Sequence, residues 1–166
     1  MMKTCVFAGT FDPITVGHKD VIDACCKKYQ KVLVVIGQNP LKTSLFTEME
    51  RFLITKECFK NNPKIEVVLY SDYSNCYAEF LKEKGAEVYV RGIRNQTDLE
   101  FEKSMEQKNK LIYPWITTKY LTCREEFKNV SSSLIREKLK NGQSLNGLVP
   151  NECLDIITKI LNEKKA

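Results

Sequence analysis

Short apolar runs rich in β-branched residues alternate along this chain with longer stretches of helical periodicity. The clearest run is KVLVVI at residues 31–36, whose unbroken apolar character is typical of a strand buried on both faces of a sheet. Strands that alternate with helices are joined by right-handed crossovers into a parallel sheet. The sequence therefore predicts an α/β fold, a five-stranded parallel sheet with helices on both faces.

The bounds of the predicted elements follow from the periodicity and from turn residues. Strands are expected at residues 3–8, 31–36, 65–69, 88–90 and 116–121. Helices are expected at residues 16–29, 47–59, 75–84, 100–111, 131–141 and 152–162. Thr47 and Glu50 have capping-box spacing at the start of the second helix, and Gly85 is a typical stop for the third. We expect a single domain over residues 1–166, with the C-terminal helix at about 152–162.

The composition is typical of a folded protein that does not enter a membrane. Of the 166 residues, 43% are hydrophobic and 28% are charged, which argues against a disordered chain. No apolar run approaches the roughly 20 residues of a membrane span, and the first apolar stretch is too short for a secretion signal. We therefore expect a cytoplasmic protein. The seven cysteines are scattered without a CxxC pair, so we expect buried, reduced thiols.

The net charge of +5 is modest and suits either an anionic substrate or a weak nucleic-acid contact. Part of the excess lies near the C-terminus, at Lys159, Lys164 and Lys165. We expect these lysines to form a solvated helix end.

Three polar segments follow predicted strands, at residues 9–18, 37–46 and 91–98. In a parallel α/β sheet, ligands bind beyond the carboxyl ends of the strands, where the strand order reverses. We therefore expect the three segments to converge on one site.

The first segment reads GTFDPITVGH and joins the first strand to the first helix. Gly9 permits a tight turn, and Thr10 offers a hydroxyl and an N–H group to a phosphate. Gly17 and His18 open the helix, whose N-terminal amides and dipole favour an anion. His18 is the only histidine. It could merely cap the helix, but the complete segment favours a functional role at the loop.

Cationic side chains characterise the second and third segments. Lys42 lies on the loop after the second strand, a place where most lysines are simply solvated. Arg91 and Arg94 follow the fourth strand with no equally close acidic partner, which favours an oxyanion clamp. Glu100 and Glu102 leave open the alternative of a purely structural ion-pair site.

Three consecutive serines begin the fifth predicted helix, at Ser131, Ser132 and Ser133. One serine would suffice as an N-cap. Three of them add clustered N–H and O–H donors, which suits a bound phosphate.

Together these segments resemble the nucleotidyltransferase superfamily and, specifically, the bacterial phosphopantetheine adenylyltransferases. Thr15 to His18 matches the (H/T)xGH signature with threonine first, as in that branch. The stretch from Asn39 to Arg51 is similar to N-P-x-K-x-x-x-F-x-x-x-x-R, and the residues from Arg91 to Glu102 are similar to RGxRxxxDFEYE. Val130 to Arg136 is similar to ISSSxxK/R, and the resemblance runs from about Met2 to Pro150.

The resemblance implies a Rossmann-like fold and adenylyl transfer from ATP to 4'-phosphopantetheine, which gives dephospho-coenzyme A and pyrophosphate in coenzyme A biosynthesis. It implies catalytic roles for His18, Lys42 and Arg91. The implied ATP-binding residues are Thr10, Phe11, Gly17, His18, Arg94, Glu102, Ser131, Ser132 and Ser133. The implied phosphopantetheine-binding residues are Thr10, Lys42, Arg91, Asn109 and Glu137.

The resemblance also implies Mg²⁺ as cofactor, carried mainly by ATP, because the sequence offers no dedicated carboxylate cluster for it. It implies a homohexamer and coenzyme A as a possible feedback ligand, with no nucleic-acid or membrane partner.

Some segments depart from the family pattern. Glu106 and Lys108 replace small or apolar residues, Asn129 lies in a less aromatic stretch, and the loop at residues 70–77 looks longer than usual. These changes bear on the pantetheine and adenine pockets more than on the type of reaction. Two kinds of protein are the alternatives. One is another nucleotidyltransferase, such as a glycerol-3-phosphate cytidylyltransferase or a nicotinamide mononucleotide adenylyltransferase. The other is a non-catalytic nucleotide- or RNA-binding module.

Overall fold

The computed structural model describes residues 3–166; Met1 and Met2, which the predicted domain includes, lie outside the described residues. Five strands form one sheet in the order β3–β2–β1–β4–β5, and every neighbouring pair is parallel. Their bounds are β1 Thr4–Gly9, β2 Lys31–Ile36, β3 Ile65–Leu69, β4 Ala86–Gly92 and β5 Thr117–Leu121. The predicted five-stranded parallel sheet is therefore confirmed.

Six α-helices connect and cover the strands: α1 Val16–Lys28, α2 Glu48–Cys58, α3 Tyr77–Glu83, α4 Gln96–Ile112, α5 Ser132–Lys140 and α6 Asn151–Lys165. On one face of the sheet, α1, α2, α5 and α6 pack against alternate strand residues such as Phe7 and Val34. On the opposite face, α3 packs against the intervening residues, such as Val6 and Val35. Helices lie on both faces, as predicted, and none of those in residues 3–166 is long and apolar enough to cross a membrane.

The strand order reverses between β1 and β4, which are neighbours in the sheet although they are far apart in sequence. The chain therefore leaves β1 and β4 toward helices on opposite sides, and a crevice opens between the two departing loops. This crevice lies at the carboxyl ends of the strands, where the three polar segments were expected to converge.

The structure corrects several predicted bounds. Helix α4 begins at Gln96 rather than at residue 100, because the Asn95 side chain accepts a hydrogen bond from the Asp98 amide and caps the helix. Strand β4 extends through Arg91 and Gly92, so the first arginine of the RGIR stretch lies in the sheet. The longer loop after β3 contains a 3₁₀ turn at Tyr70–Tyr73, and α3 is correspondingly shorter than predicted.

Candidate active site

A cavity of about 390 Å³ lies in the crevice between β1 and β4. Its wall combines the loops after β1, β2 and β4 with the starts of α1 and α5. It includes eleven of the residues singled out from the sequence: Thr10, Phe11, Gly17, His18, Lys42, Arg91, Arg94, Glu102, Ser131, Ser132 and Ser133. The expected convergence of the three polar segments is thereby confirmed.

Two predicted binding residues lie away from this wall. Asn109 is half-buried on α4, where its carbonyl oxygen accepts the Tyr113 amide at 2.7 Å. Glu137 is exposed on α5. Their proposed contacts with phosphopantetheine remain predictions.

The loop after β1 makes its tight turn at Phe11, whose φ of 48° lies in the left-handed region. The Phe11 ring folds back over Gly9, so that a Cβ atom at Gly9 would lie only 3.0 Å from the ring. A side chain at Gly9 would therefore crowd this ring, and the buried Phe11 ring becomes part of the cavity wall beside His18.

His18 caps α1 and lines the cavity at the same time. Its Nδ1 atom accepts the backbone N–H of Thr15 at 3.1 Å, while the His18 amide donates to the Thr15 hydroxyl at 3.2 Å. A backbone N–H can only donate, so the Nδ1 lone pair is used and the proton of the neutral ring lies on Nε2. The alternatives of cap and functional group are thus not exclusive, because one nitrogen caps and the other is left as a donor.

The surroundings keep this imidazole neutral. Its ring lies edge-on to Phe11 at 5.1 Å and 6.5 Å from Phe7, both measured between ring centroids. Burial, and secondly the positive charge of Arg94, lower the pKa of His18 from 6.5 to about 4. At neutral pH the residue is therefore an uncharged hydrogen-bond donor.

Lys42 lies on an exposed loop whose turn is fixed locally. The Asn39 side chain accepts the Leu41 amide at 3.0 Å, and the Asn39 carbonyl accepts the Lys42 amide at 3.1 Å. The Lys42 side chain is exposed yet lines the cavity. It is therefore a mobile cation at the rim, which suits a group that follows moving negative charge.

Arg91 is held between an acid and an aromatic ring. Its guanidinium lies 4.6 Å from the centroid of the Tyr89 ring, and its Nε atom is 3.4 Å from Oε2 of Glu102. The Tyr89 hydroxyl in turn lies 3.2 Å from the Tyr77 hydroxyl in the core. The expectation that Arg91 lacks an equally close acidic partner was therefore wrong, and the ion pair with Glu102 that the sequence left open is present.

The same correction applies to Arg94. Its Nε atom and its backbone amide both donate to Oδ2 of Asp98, at 3.2 and 3.1 Å. Asp98 is not among the acidic partners that the sequence suggests, Glu100 and Glu102, because the predicted start of the helix at residue 100 lies too late. Asp98 lies in the first turn of that helix and faces the arginine, whereas Glu100 accepts a hydrogen bond from Gln96.

The three serines have different partners. Ser131 is the N-cap of α5 and accepts the Leu134 amide, Ser132 donates its hydroxyl to the carbonyl of Pro13, and Ser133 accepts from Arg136. The first amides of a helix, here those of Ser132 and Ser133, have no intrahelical acceptor and point beyond its end. These two amides, rather than the hydroxyls, are the donors that a phosphate would meet first.

Three charged residues that received no role from the sequence hold the loops together. The Asp12 carboxylate accepts the amides of Leu45 and Phe46, both at 2.9 Å. The buried Arg51 donates to the carbonyls of Thr10 and Gly37, at 2.5 and 2.7 Å. Arg136 donates to the Asp12 carbonyl at 2.8 Å, which connects α5 to the first loop.

A sequence signal for Arg51 exists. Arg51 falls in register with Ile54, Thr55 and Cys58 on the buried face of α2. A single arginine on an otherwise inward-facing stripe indicates a buried cation with designated acceptors. No comparable signal distinguishes Asp12 or Arg136 from solvated residues.

The charged groups of the cavity wall favour the binding of anions, which must compete with the protein's own carboxylates for the cations. It contains four cations, Lys42, Arg91, Arg94 and Arg136, and three carboxylates, Asp12, Asp98 and Glu102. A neutral imidazole donor and the N-terminus of α5 add two further sources of positive potential. This arrangement can hold the phosphates of two ligands side by side and stabilise charge that develops between them.

Comparisons with known proteins agree with this geometry. The cytidylyltransferase-like family model matches residues 6–138. Phosphopantetheine adenylyltransferase from Carboxydothermus hydrogenoformans is 38% identical over 149 residues, which cover 90% of both chains. The enzyme of the same name from Clostridium botulinum strain Langeland is 35% identical over 164 residues, which cover 99% of this chain and 98% of the relative. The chain therefore belongs to the cytidylyltransferase-like family and, within it, to the phosphopantetheine adenylyltransferases.

Proposed function

We propose that the protein transfers the adenylyl group of ATP to the phosphate of 4'-phosphopantetheine and releases dephospho-coenzyme A and pyrophosphate. The observation that carries the proposal is the convergence of a neutral Nε2–H donor at His18 with the cations of Lys42, Arg91 and Arg94 in one cavity. The kinship with enzymes of this name supports the choice of substrates.

The reaction needs no covalent intermediate. A phosphate oxygen of phosphopantetheine attacks the α-phosphorus of ATP, and the bond from that phosphorus to the oxygen that bridges to the β-phosphate breaks. The electron pair of the broken bond leaves with pyrophosphate. Because the nucleophile is already an anion, the protein's task is to align two anions and to stabilise the charge that builds up.

Each cavity residue has a distinct proposed role. His18 donates its Nε2–H to an oxygen of the α-phosphate as the transition state forms. Lys42 contacts the phosphates of both substrates, Arg91 holds the phosphate of phosphopantetheine, and Arg94 holds the phosphates of ATP. The amides at the start of α5 bind the ATP phosphates, with the proposed contribution of the three serines.

The remaining proposed contacts shape the two substrate positions. Thr10 contacts both substrates, and Phe11 and Gly17 contact ATP beside His18. Glu102 lies near the ribose of ATP. Its carboxylate must then contact both the sugar and Arg91. Asn109 and Glu137 contact the pantetheine arm, and since neither lines the cavity, the arm must extend beyond it along α4 and α5.

We further propose that Mg²⁺ arrives bound to the phosphates of ATP. The carboxylates of the cavity wall are already engaged: Asp12 by backbone amides, Asp98 by Arg94 and Glu102 by Arg91. No cluster of three potential metal-ligating side chains occurs among residues 3–166. A magnesium ion that keeps water and phosphate ligands fits these residues, and when bound it neutralises phosphate charge.

The test is direct. The protein is incubated with ATP, Mg²⁺ and 4'-phosphopantetheine, and the products are identified by mass spectrometry. We expect dephospho-coenzyme A and one pyrophosphate per turnover, and less product by a factor of about 100 or more from His18→Ala. Parallel reactions use CTP with glycerol 3-phosphate and ATP with nicotinamide mononucleotide.

Each alternative predicts a different result. If pyrophosphate were released only with another acceptor, that acceptor and not 4'-phosphopantetheine would be the substrate. Binding of ATP without turnover with any acceptor would favour the non-catalytic module.

Three further properties belong to the same proposal. We propose a homohexamer, cytoplasmic location and competitive inhibition by coenzyme A. The exposed apolar side chains of Leu111 and Ile112 at the end of α4, 85% and 57% accessible, are consistent with burial in an assembly. Light scattering after size exclusion measures the assembly, and inhibition kinetics against phosphopantetheine measure the feedback. A monomer, or no inhibition by coenzyme A, would contradict the corresponding part.

A further inference from the structure

We infer that Lys164, in the last turn of the C-terminal helix α6, is a positioning residue for Lys42: it fixes one end of the loop that carries Lys42 to the active site. The inference rests on the proposed function for its kinetic readout. The helix end is exposed, as expected, but the Lys164 side chain, 36% accessible, also has two specific partners there, Glu50 and the Leu45 carbonyl.

The Lys42 loop is exposed between two fixed ends. Residues 41–43 are all exposed, whereas Phe46 is completely buried. At the first end, the Gly37 amide donates to the Gly9 carbonyl at 2.8 Å, and Arg51 donates to the Gly37 carbonyl at 2.7 Å. This end is therefore tied to β1 and α2, which also carry the first active-site loop.

The second end is held from two opposite sides. The Leu45 carbonyl accepts from Nζ of Lys164 at 3.0 Å, and the Phe46 amide of the same peptide unit donates to Asp12 at 2.9 Å. The C=O and N–H groups of a trans peptide point in opposite directions. Lys164 and Asp12 therefore clamp one peptide plane between α6 and the loop after β1.

Lys164 is itself held in place. Its Nζ atom lies 2.7 Å from Oε2 of Glu50, the capping-box residue of α2, and 5.6 Å from the centroid of the Phe46 ring. The same Glu50 oxygen accepts the Thr47 amide at 2.7 Å. The ammonium group thus links the last helix, the start of α2 and the end of the Lys42 loop in one network.

This network acts on Lys42 at a distance of three residues along the chain. Lys164 does not line the cavity in the crevice; it lies in a neighbouring groove that it shares with Lys42 and Leu45, so we infer that it acts on the crevice through the loop. Removing it leaves the Leu45 carbonyl to water and lets the loop end move. The Lys42 ammonium then spends less time where both phosphates can be reached.

The test combines kinetics with amide exchange. We expect Lys164→Met to lower kcat by about two- to tenfold, the range for one lost hydrogen bond and a half-exposed ion pair. Lys164→Arg keeps a donor and should restore most of the rate. Lys165→Met, at the adjacent position of the same helix, is the matched control and should have nearly wild-type kinetics.

A double-mutant cycle separates positioning from general stability. In a Lys42→Ala background, measured in single turnovers with enzyme in excess, Lys164→Met should have almost no further effect on the rate. The same loss in both backgrounds would overturn the inference, and so would an equal loss from Lys165→Met.

Hydrogen exchange followed by mass spectrometry gives an answer that does not depend on activity. Peptides that cover residues 38–46 should exchange faster in Lys164→Met than in the wild type or in Lys165→Met. Unchanged exchange would overturn the inference even if the wild type is active. Conversely, faster exchange in a protein that makes no dephospho-coenzyme A would refute the proposed function and leave the loop contact standing.

Discussion

The two ring nitrogens of His18 can be separated by substitution. In His18→Asn, the side-chain oxygen occupies a position near that of Nδ1 and can still accept the Thr15 amide, now 3.1 Å from Nδ1. The longer side chain of His18→Gln places an amide N–H near the position of Nε2 but does not reproduce the Nδ1 cap. The first variant therefore keeps the cap and loses the donor, and the second does the reverse.

The structure sets different magnitudes for the two losses. The His18 Nδ1 bond joins the amide of the N-cap Thr15 to the first turn of α1, and losing one such hydrogen bond costs about 0.5–1.5 kcal/mol of folding stability. A lost transition-state donor costs about 2.7–4 kcal/mol of activation free energy, a factor of roughly 10²–10³ in kcat. His18→Asn should therefore have near wild-type stability and a kcat lower by about 10²–10³. His18→Gln should be less stable but should retain more of the rate.

The assay measures kcat and KM for dephospho-coenzyme A formation, together with urea unfolding of each variant. KM for ATP should change little, because the donor acts mainly in the transition state. A His18→Asn variant with wild-type turnover would refute the assignment of Nε2 as the donor. Equal loss of stability in both variants would refute the assignment of Nδ1 to the helix cap and Nε2 to the transition state.

Four further predictions concern His18 and other residues of the site. Because His18 is the only histidine, one ring resonance in a proton NMR titration reports its pKa, which should be about 4, and a midpoint near 6.5 would contradict the burial argument. Since the folded pKa lies below the unfolded one, stability from this group should be complete above about pH 6.5 and be lost as the pH falls toward 4. Gly9→Ala should destabilise the fold by about 1–3 kcal/mol, because the new Cβ would lie 3.0 Å from the Phe11 ring. In the control Gly37→Ala, the new Cβ would make only an ordinary 3.7 Å contact. Equal unfolding midpoints for the two variants would contradict this prediction. Arg91→Ala should raise KM for phosphopantetheine more than KM for ATP, and equal increases for both substrates would contradict the role proposed for Arg91.

The sheet and the convergence of its loops could be predicted because they depend on local signals. The buried run of β2 and the capping pair Thr47 and Glu50 specify their elements almost without reference to the rest of the chain. The order of loops around the crevice then follows from the handedness and switch point of a parallel α/β sheet. Most of the candidate site residues lie on these loops, so a correct prediction of where the loops lie also predicts where these residues lie.

The features that the sequence does not reveal have two different causes. The partner of Arg94 is hidden because the predicted helix begins at residue 100, which leaves the Asn95 cap and Asp98 in a loop. The partners of Lys164 are hidden because they are distant in sequence and no periodicity at the end of α6 marks them. One of them, the Leu45 carbonyl, is a backbone group and leaves no trace in the side-chain pattern.

The acidic partners of the two arginines are compatible with phosphate binding. The Arg91–Glu102 pair is loose, at 3.4 Å, and the Arg94 side chain is 50% accessible. A half-exposed pair such as Arg94–Asp98 contributes only about 0–1 kcal/mol, and the Arg91–Glu102 pair is weakened by its long separation, so exchanging a carboxylate for a doubly charged phosphate meets little resistance. In the meantime the carboxylate keeps each guanidinium near the cavity instead of letting it sample solvent. Catalysis by charge stabilisation requires donors that are already in place when the charge develops. The two ion pairs are therefore compatible with the proposed anion-binding role of Arg91 and Arg94, because they would hold the guanidinium groups ready.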